Sequence, residues 1–161
     1  MKRILFFTAL VLLLGSCEKP QDVPTSLTST SDVVCKSGED LKTGEPGKTQ
    51  SCISFEYDGD STLYMVHYNA GFNCCPEQIL VDLEVKGDSL IITEDDLKQD
   101  CRCNCLFHVN ITVHNLKRTK YHVKFIEPLA RVESLLVFDL DLKKKPTGQE
   151  CVVRNYIPWA E

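Results

Sequence analysis

The 161-residue chain lacks an excess of positive charge. It has 18 Lys and Arg residues against 23 Asp and Glu residues, a formal net charge of −5, and no basic stripe is apparent along the chain. Proteins that bind nucleic acids neutralise phosphates with clustered Lys and Arg side chains. This charge balance argues against nucleic acid as a partner.

The motifs that mark common enzyme and cofactor sites are also missing. The sequence contains no H-E-x-x-H, no G-x-S-x-G, no glycine-rich phosphate loop and no C-x-x-C. These patterns would indicate a zinc protease, an α/β-hydrolase, a nucleotide site and a thioredoxin-like redox site, respectively. The sequence therefore predicts a non-enzymatic protein without catalytic residues and without a cofactor.

Long apolar runs are absent except at the N-terminus. There, Lys2 and Arg3 precede an apolar stretch over residues 4–14, which is shorter than the roughly 20 residues that a membrane-spanning helix needs. The following Leu-Gly-Ser-Cys, ending at Cys17, resembles the lipobox of bacterial lipoproteins. Residues 1–16 are therefore predicted to be a lipoprotein signal peptide, and Cys17 to carry the lipid that anchors the protein to a membrane.

The remaining chain suits one domain. Residues 17–50 are rich in Ser, Thr, Pro and Gly and poor in bulky apolar side chains. They are predicted to comprise the lipidated cysteine and a flexible polar tether. Residues 51–161 are predicted to form the folded domain.

Within that domain, apolar residues alternate with polar ones at the period of a β-strand. A convincing helical period is lacking, and residues 94–100 are expected to form at most one helical turn. Short strands with turns between them predict an all-β fold, an antiparallel immunoglobulin-like β-sandwich of about seven to eight strands. The predicted strands are 53–57, 63–68, 79–85, 90–93, 107–113, 121–125, 136–142 and 152–156.

The stretch ITVHNLKRTKYHVKF, residues 111–125, resembles the corner between strands E and F of fibronectin type III and other immunoglobulin-like domains. The resemblance implies that Leu116 plugs the core at the corner. It also implies that Tyr121 is a tyrosine corner whose hydroxyl bonds to the backbone a few residues upstream.

The chain is not short of cysteine: it has nine, and eight remain after Cys17. An even number in an exported chain predicts disulfides, although eight cysteines allow 105 pairings. Alternate cysteines on one strand lie about 6.6–7 Å apart, at the limit of disulfide geometry, so each is expected to bond elsewhere. The disulfide candidates are Cys35, Cys52, Cys74, Cys75, Cys101, Cys103, Cys105 and Cys151.

We favour bonds from Cys74 and Cys75 into the group formed by Cys101, Cys103 and Cys105. The remaining member of that group is expected to pair with Cys35, Cys52 or Cys151, and Cys52–Cys151 is the favoured fourth pair. If one unbroken strand covers residues 101–113, the three cysteines share the apolar face of Phe107. Cys35, which lies in a polar arm, is expected to staple that arm to the domain.

Metal binding by cysteine thiolates, with zinc or copper, is the alternative to disulfides. The spacing matches no paired zinc motif, so no metal ligand is assigned. The histidines (His67, His108, His114 and His122) are expected at the surface, and the acidic residues Asp82, Glu84 and Glu94–Asp96 in solvated positions. Ser61 and Ser89 follow aspartates in a pattern that looks like the O-glycosylation signal of Bacteroidetes.

Three stretches, NAGFNCCPEQI, CRCNCLFHVNITVHNL and CVVRNYIPW, resemble small cysteine-rich secreted lipoproteins of Bacteroidetes. The resemblance implies a class and a location and transfers no catalytic residue. It implies a protein anchored to the outer membrane of the bacterial cell envelope, facing the periplasm or the cell surface. Such a protein is expected to be a binding or structural module whose ligand is a protein or a glycan.

Overall fold

The structure is a computed structural model that describes residues 24–31, 35, 44–97 and 101–160. In these residues, nine strands and one short 3-10 turn (Val132–Ser134) form two sheets. The strands are β1 (Ser26–Ser31), β2 (Gln50–Tyr57), β3 (Leu63–Asn73), β4 (Gln78–Lys86), β5 (Ser89–Leu97), β6 (Asn104–His114), β7 (Lys120–Ile126), β8 (Val137–Asp141) and β9 (Thr147–Val153).

The predicted disulfide-stapled β-sandwich is confirmed, with two differences in detail. The five-stranded sheet has the order β1-β6-β3-β2-β9 and is antiparallel throughout, whereas the four-stranded sheet has the order β4-β5-β7-β8. In the second sheet, β5 and β7 run parallel. The described strands number nine instead of seven to eight, and one pair departs from the antiparallel expectation.

The core forms where the apolar faces of the two sheets meet. Strand β6 shows the cause, because Phe107, Val109 and Ile111 point inward and are buried, while Asn110 between them is exposed. Strands β5 and β7 supply Leu90, Ile92, Val123 and Phe125 from the opposite sheet. The alternation read from the sequence is therefore the alternation between core and solvent.

The tether prediction is wrong for residues 26–31, which form β1 at the edge of the five-stranded sheet. The stretch SLTSTS contains one bulky apolar residue, Leu27, which packs against the core. A polar Ser/Thr strand is stable here because β6 offers a free row of backbone groups. The domain therefore begins before residue 51.

Three other boundaries also differ from the predictions. Residues 94–97, expected in a helical turn, extend β5 because β4 pairs with them, and residues 98–100 lie outside the described part. The last strand is β9, earlier than the predicted 152–156, because it pairs along β2. The unbroken strand over 101–113 is wrong, since β6 begins at Asn104 and only Cys105 of the three cysteines lies in it.

The connections fall at two ends of the sandwich. At one end, which we call the tether end, the chain enters the fold: Asn115 donates from its side chain to the Pro24 carbonyl, and its own carbonyl accepts from Thr25 Oγ1. The tether end comprises residues 58–62, 86–88, 115–120 and 141–146. The opposite end, which we call the disulfide end, contains the C-terminal residues of strands β3, β5, β7 and β9.

Four disulfides lie toward the disulfide end and pair Cys35–Cys105, Cys52–Cys151, Cys74–Cys103 and Cys75–Cys101. The favoured pairings are confirmed. Cys52 and Cys151 are register partners with Cα atoms 4.1 Å apart. Cys35 lies beyond the end of β1, and its Cα is 5.4 Å from that of Cys105 in the disulfide, so the arm is stapled as expected. All four bonds therefore tie the five-stranded sheet, and β4, β5, β7 and β8 contain no cysteine.

The tether end contains the predicted tyrosine corner. Tyr121 Oη donates to the Lys117 carbonyl at 2.9 Å, and Leu116 is buried in the core. A second tyrosine, Tyr57, donates to the Leu116 carbonyl at 3.0 Å, and the Leu116 amide donates to Ser61. Hydrogen bonds therefore hold this end together.

Candidate functional site

Four ionisable side chains meet between the two sheets near the disulfide end. His67 lies on β3 and Arg154 follows β9, whereas Glu94 lies on β5 and Glu127 follows β7. All four side chains are fully buried. The cations thus come from the five-stranded sheet and the carboxylates from the four-stranded sheet, so the cluster joins the two layers. We call these four residues the inter-sheet cluster.

Within the cluster, each cation has a close carboxylate partner. Nδ1 of His67 lies 2.8 Å from Oε2 of Glu94. Arg154 binds both oxygens of Glu127, at 2.8 and 2.5 Å. His67 Nε2 lies 3.7 Å from Glu127 Oε2 and 2.8 Å from Ser51 Oγ. The two ion pairs are therefore one connected network.

The guanidinium of Arg154 has further partners. It donates to the Ser134 carbonyl at 3.1 and 3.2 Å and lies 4.4 Å from the centre of the Trp159 ring. Buried charges are stable only when they are paired and hydrogen-bonded. Arg154 meets both conditions.

A β-bulge positions His67. The β3–β6 register shifts between His67 and Ala70, and Asn69 within the bulge has a positive φ of 58°. The Asn69 side chain donates to the Gln50 carbonyl at 2.8 Å, and Trp159 Nε1 donates to the Asn69 carbonyl at 2.7 Å. Gly71 leaves the space for Trp159, because a Cβ there would lie 2.6 Å from its ring. Bulges commonly re-aim side chains in this way.

The electrostatics of the cluster favour a retained proton. Two carboxylates face one guanidinium, so one more positive charge makes the cluster neutral. Burial alone lowers the pKa of His67, but the charges of Glu94 and Glu127 outweigh burial and raise it above its ordinary value. Burial likewise raises the pKa of Glu94, against the opposing charge of His67. We place the proton on His67 Nδ1, which donates to Glu94.

One polar atom of the cluster has no hydrogen-bond partner. Glu94 Oε1 is buried and unpaired among the described residues. A buried unpaired oxygen raises the free energy of the charged carboxylate. This is a second physical reason why the pair holds its proton tightly.

Metal binding by this cluster would compete with bonds already made. His67, Glu94 and Glu127 each place one ligand atom within 4.8 Å of the others. However, both oxygens of Glu127 already bind Arg154, and both ring nitrogens of His67 have partners. A cation would also face the Arg154 charge. The arrangement therefore suits a proton better than a metal ion.

The sulfur atoms of Cys74, Cys75 and Cys101 also lie within 4.8 Å of one another. Each belongs to a disulfide, with Cys103 as the fourth partner. The side chain of Asn73 organises this corner, because it accepts from the Cys75 amide and donates to the Cys101 carbonyl. Disulfide sulfurs are not thiolates and do not provide the usual metal ligands.

The other predicted positions give a mixed result. Cys17 lies outside the described residues, so its lipidation stays a prediction, as does glycosylation at Ser61 and Ser89. Asp82 and Glu84 are exposed as expected. The surface prediction is wrong for His67, and the solvated prediction is wrong for Glu94 and Asp96, which are buried.

Sequence reasoning missed the inter-sheet cluster, although the pattern contained a sign of it. His67 has the inward parity of Leu63 and Met65, and Glu94 has that of Leu90 and Ile92. A charged residue in phase with a core stripe should have indicated a buried partner. The partners carried the same sign, because Glu127 continues the inward parity of Val123 and Phe125, and Arg154 continues that of Val152, just beyond the ends of β7 and β9.

A groove of about 550 Å³ lies on the five-stranded sheet, over β2, β3 and β9. The half-exposed ring of Tyr64 stands beside hydroxyl, carboxylate and amide side chains. The polar lining residues are Ser54, Glu56, Tyr64, Thr147 and Gln149. Unlike the inter-sheet cluster, this surface is open to solvent.

Comparison with known proteins gives no match: no family model, no curated protein and no solved structure is significantly similar to this chain. Among the described residues, no helix has the length and apolar character required to cross a bilayer.

Proposed function

We propose that the chain is a non-enzymatic binding module of the bacterial cell envelope, anchored to the outer membrane through a lipid on Cys17. The proposal follows the lipobox and the likeness to small cysteine-rich lipoproteins of Bacteroidetes. The observation that carries the non-enzymatic part is the burial of the inter-sheet cluster. Its four ionisable groups are sealed from solvent and paired with one another, which suits a structural role.

Lipidation is tested in the native membrane. We expect the full chain to enter the detergent phase of an envelope extract, and the intact mass to show acyl chains on Cys17 after loss of residues 1–16. A Cys17→Ala variant should remain uncleaved and carry no lipid. A matched Ser16→Ala variant keeps the cysteine and a small preceding residue and should be lipidated normally. An unmodified Cys17 in the native protein would overturn the anchor.

For the ligand we propose a glycan that binds in the groove beside Tyr64. An amphipathic ring next to several hydroxyl, amide and carboxylate groups can stack on a sugar ring and bond its hydroxyls. Binding to an array of envelope glycans should fall at least tenfold in Tyr64→Ala and persist in Tyr64→Phe, which keeps the ring. Equal binding by both variants, or capture of a protein partner only, would contradict this assignment.

Thiol-based binding of zinc or copper is the second candidate, favoured by the three converging sulfurs of Cys74, Cys75 and Cys101. It requires that the disulfides of these residues be reduced first. The test is the metal content of protein purified from its native envelope without added reductant. About one equivalent of metal per chain would favour this candidate, and metal-free protein would remove it.

A further inference from the structure

We propose that the tether end of the sandwich is a basic face that docks on the anionic lipid head groups of the membrane holding the anchor. The inference rests on the proposed lipidation of Cys17. It adds an orientation and a second, electrostatic contact with the membrane.

The distribution of charged residues makes the tether end positive. Of the 12 basic and 16 acidic residues in the part of the chain that the structure describes, seven basic and four acidic residues lie at the tether end, which leaves five basic and twelve acidic residues elsewhere in that part. A protein with an acidic balance therefore has one positive end. The seven are Lys86, Lys117, Arg118, Lys120, Lys143, Lys144 and Lys145, and the four are Asp58, Asp60, Asp88 and Asp141.

The seven basic residues are all exposed. The side chain of Lys144 is 81% exposed and that of Lys86 is 64% exposed. In contrast, the most tightly bound of the four acids, Asp58, accepts bonds from the backbone amides of residues 60–62 at 2.8–3.0 Å. Lys86, Lys144 and Lys145 each lie within 4.0 Å of a carboxylate, that of Glu84, Asp141 and Glu150, respectively, and they remain exposed in these pairs.

The short length of chain between Cys17 and Pro24 keeps the tether end close to the proposed anchor. Pro24, the first described residue, bonds to Asn115 at the tether end. The seven residue steps from Cys17 to Pro24 span at most about 25 Å when fully extended. The 11 residues of β6 place the opposite end roughly 36 Å farther along the strand direction. The tether end is therefore the part of the domain that the anchor holds closest to the lipid.

Charge complementarity then selects the partner. A bilayer with anionic lipids has a negative surface potential that attracts clustered Lys and Arg side chains, and this attraction extends only over about one Debye length, roughly 8 Å at physiological ionic strength. A short tether ending at a positive face brings that face within reach. The groove and the disulfide end are then presented away from the lipid.

The test uses the chain from residue 17 onward with Cys17→Ala, so that no acyl chain contributes. We expect it to co-sediment with phosphatidylethanolamine vesicles that contain phosphatidylglycerol, and to remain in solution with phosphatidylcholine vesicles. Added salt should release it. Failure to sediment with the anionic vesicles at low salt, or equal sedimentation with both vesicle types, would overturn the proposal.

Two double variants with the same change in net charge distinguish binding through the tether end from a general effect of the protein's charge. Lys143→Gln with Lys144→Gln should weaken anionic-vesicle binding about 25-fold, at roughly fivefold per lysine. Lys48→Gln with Arg102→Gln makes the same change in net charge away from the tether end and should have little effect. Equal losses in the two variants would contradict a tether-end face.

The outcome is independent of the anchor test. An unlipidated native Cys17 together with specific vesicle binding would defeat the anchor and leave the basic face. A lipidated Cys17 without vesicle binding would keep the anchor and defeat the face.

Discussion

The two ends of this sandwich are held together by different kinds of interaction. At the disulfide end, covalent bonds join residues that lie in the strands of one sheet or just beyond their ends, and a buried ion network joins that sheet to the other. At the tether end, Tyr121 and Tyr57 bond to backbone carbonyls around a plugged corner. One end relies on cross-links and buried charge, and the other on hydrogen bonds and packing.

The disulfides lie at the end of the sandwich that also buries the four ionisable groups of the inter-sheet cluster. Burying four ionisable groups has a desolvation cost that their attraction only partly offsets. Disulfides restrict the unfolded chain and so offset part of that cost at the same end. The tether end buries no comparable charge, and neutral hydrogen bonds are sufficient there.

The largest expected effect comes from breaking the inter-sheet cluster. Glu127→Gln leaves the Arg154 guanidinium buried without its counter-ion, so we expect the free energy of unfolding to fall by about 3–5 kcal/mol. Chemical denaturation monitored by tryptophan fluorescence measures it, because Trp159 packs on Arg154. The control is Glu150→Gln, which breaks the exposed pair with Lys145 and should cost at most about 1 kcal/mol. Equal losses would show that the network contributes little.

The next largest effect comes from a disulfide. Replacing Cys52 and Cys151 together by Ala opens a cross-link between residues separated by 99 positions. We expect a loss of about 2–4 kcal/mol and faster amide exchange along β9, which pairs with β2 alone among the described strands. Unchanged β9 exchange would contradict the staple.

The third effect is a pH dependence of the free energy of unfolding, which comes from the inter-sheet cluster near the disulfide end. The pKa of His67 is raised in the folded state, so its stabilisation is fully present below about pH 6.5, the ordinary value, and is lost as pH rises through the folded value. The raised pKa of Glu94 acts in the same direction. The free energy of unfolding should therefore fall above pH 6.5, by at most about 1.4 kcal/mol per pH unit.

Variants assign that slope to the cluster. His67→Gln should flatten the dependence above pH 6.5, whereas His122→Gln, at the exposed pair with Asp139, should leave it intact. Denaturation series at several pH values give the slope. A flat profile in the unmodified protein would contradict proton retention by the cluster.

The smallest expected effect lies at the tether end. Tyr121→Phe removes the hydroxyl bond to Lys117 and should cost about 1 kcal/mol. Tyr64→Phe removes a hydroxyl from a half-exposed ring and should be nearly neutral. A loss above about 3 kcal/mol for Tyr121→Phe would mean that this end is held more strongly than described.

Much of the fold was readable because each strand repeats the same local signal. Alternation located most strands, and the export signal together with strand spacing led to the disulfide partners. The corner motif located Tyr121. The strands and the corner depend on residues that are close together in the sequence, and the disulfides were indicated by the even number of cysteines.

What the sequence did not reveal depends on distant parts of the chain. Strand β1 is polar and is held by the backbone of β6, so it has no hydrophobic pattern of its own. The inter-sheet cluster joins residues 67, 94, 127 and 154, and only the fold brings them together. The basic tether end is likewise assembled from several separate connections, so no stripe was visible along the chain.

The most direct test of the contrast between the ends is a disulfide map of the unreduced protein, by peptide mass spectrometry with fragmentation between Cys74 and Cys75. We expect Cys35–Cys105, Cys52–Cys151, Cys74–Cys103 and Cys75–Cys101, with no free thiol among these eight. Free thiols at Cys74, Cys75 and Cys101, or bonds that connect these cysteines differently, would contradict the account of the disulfide end.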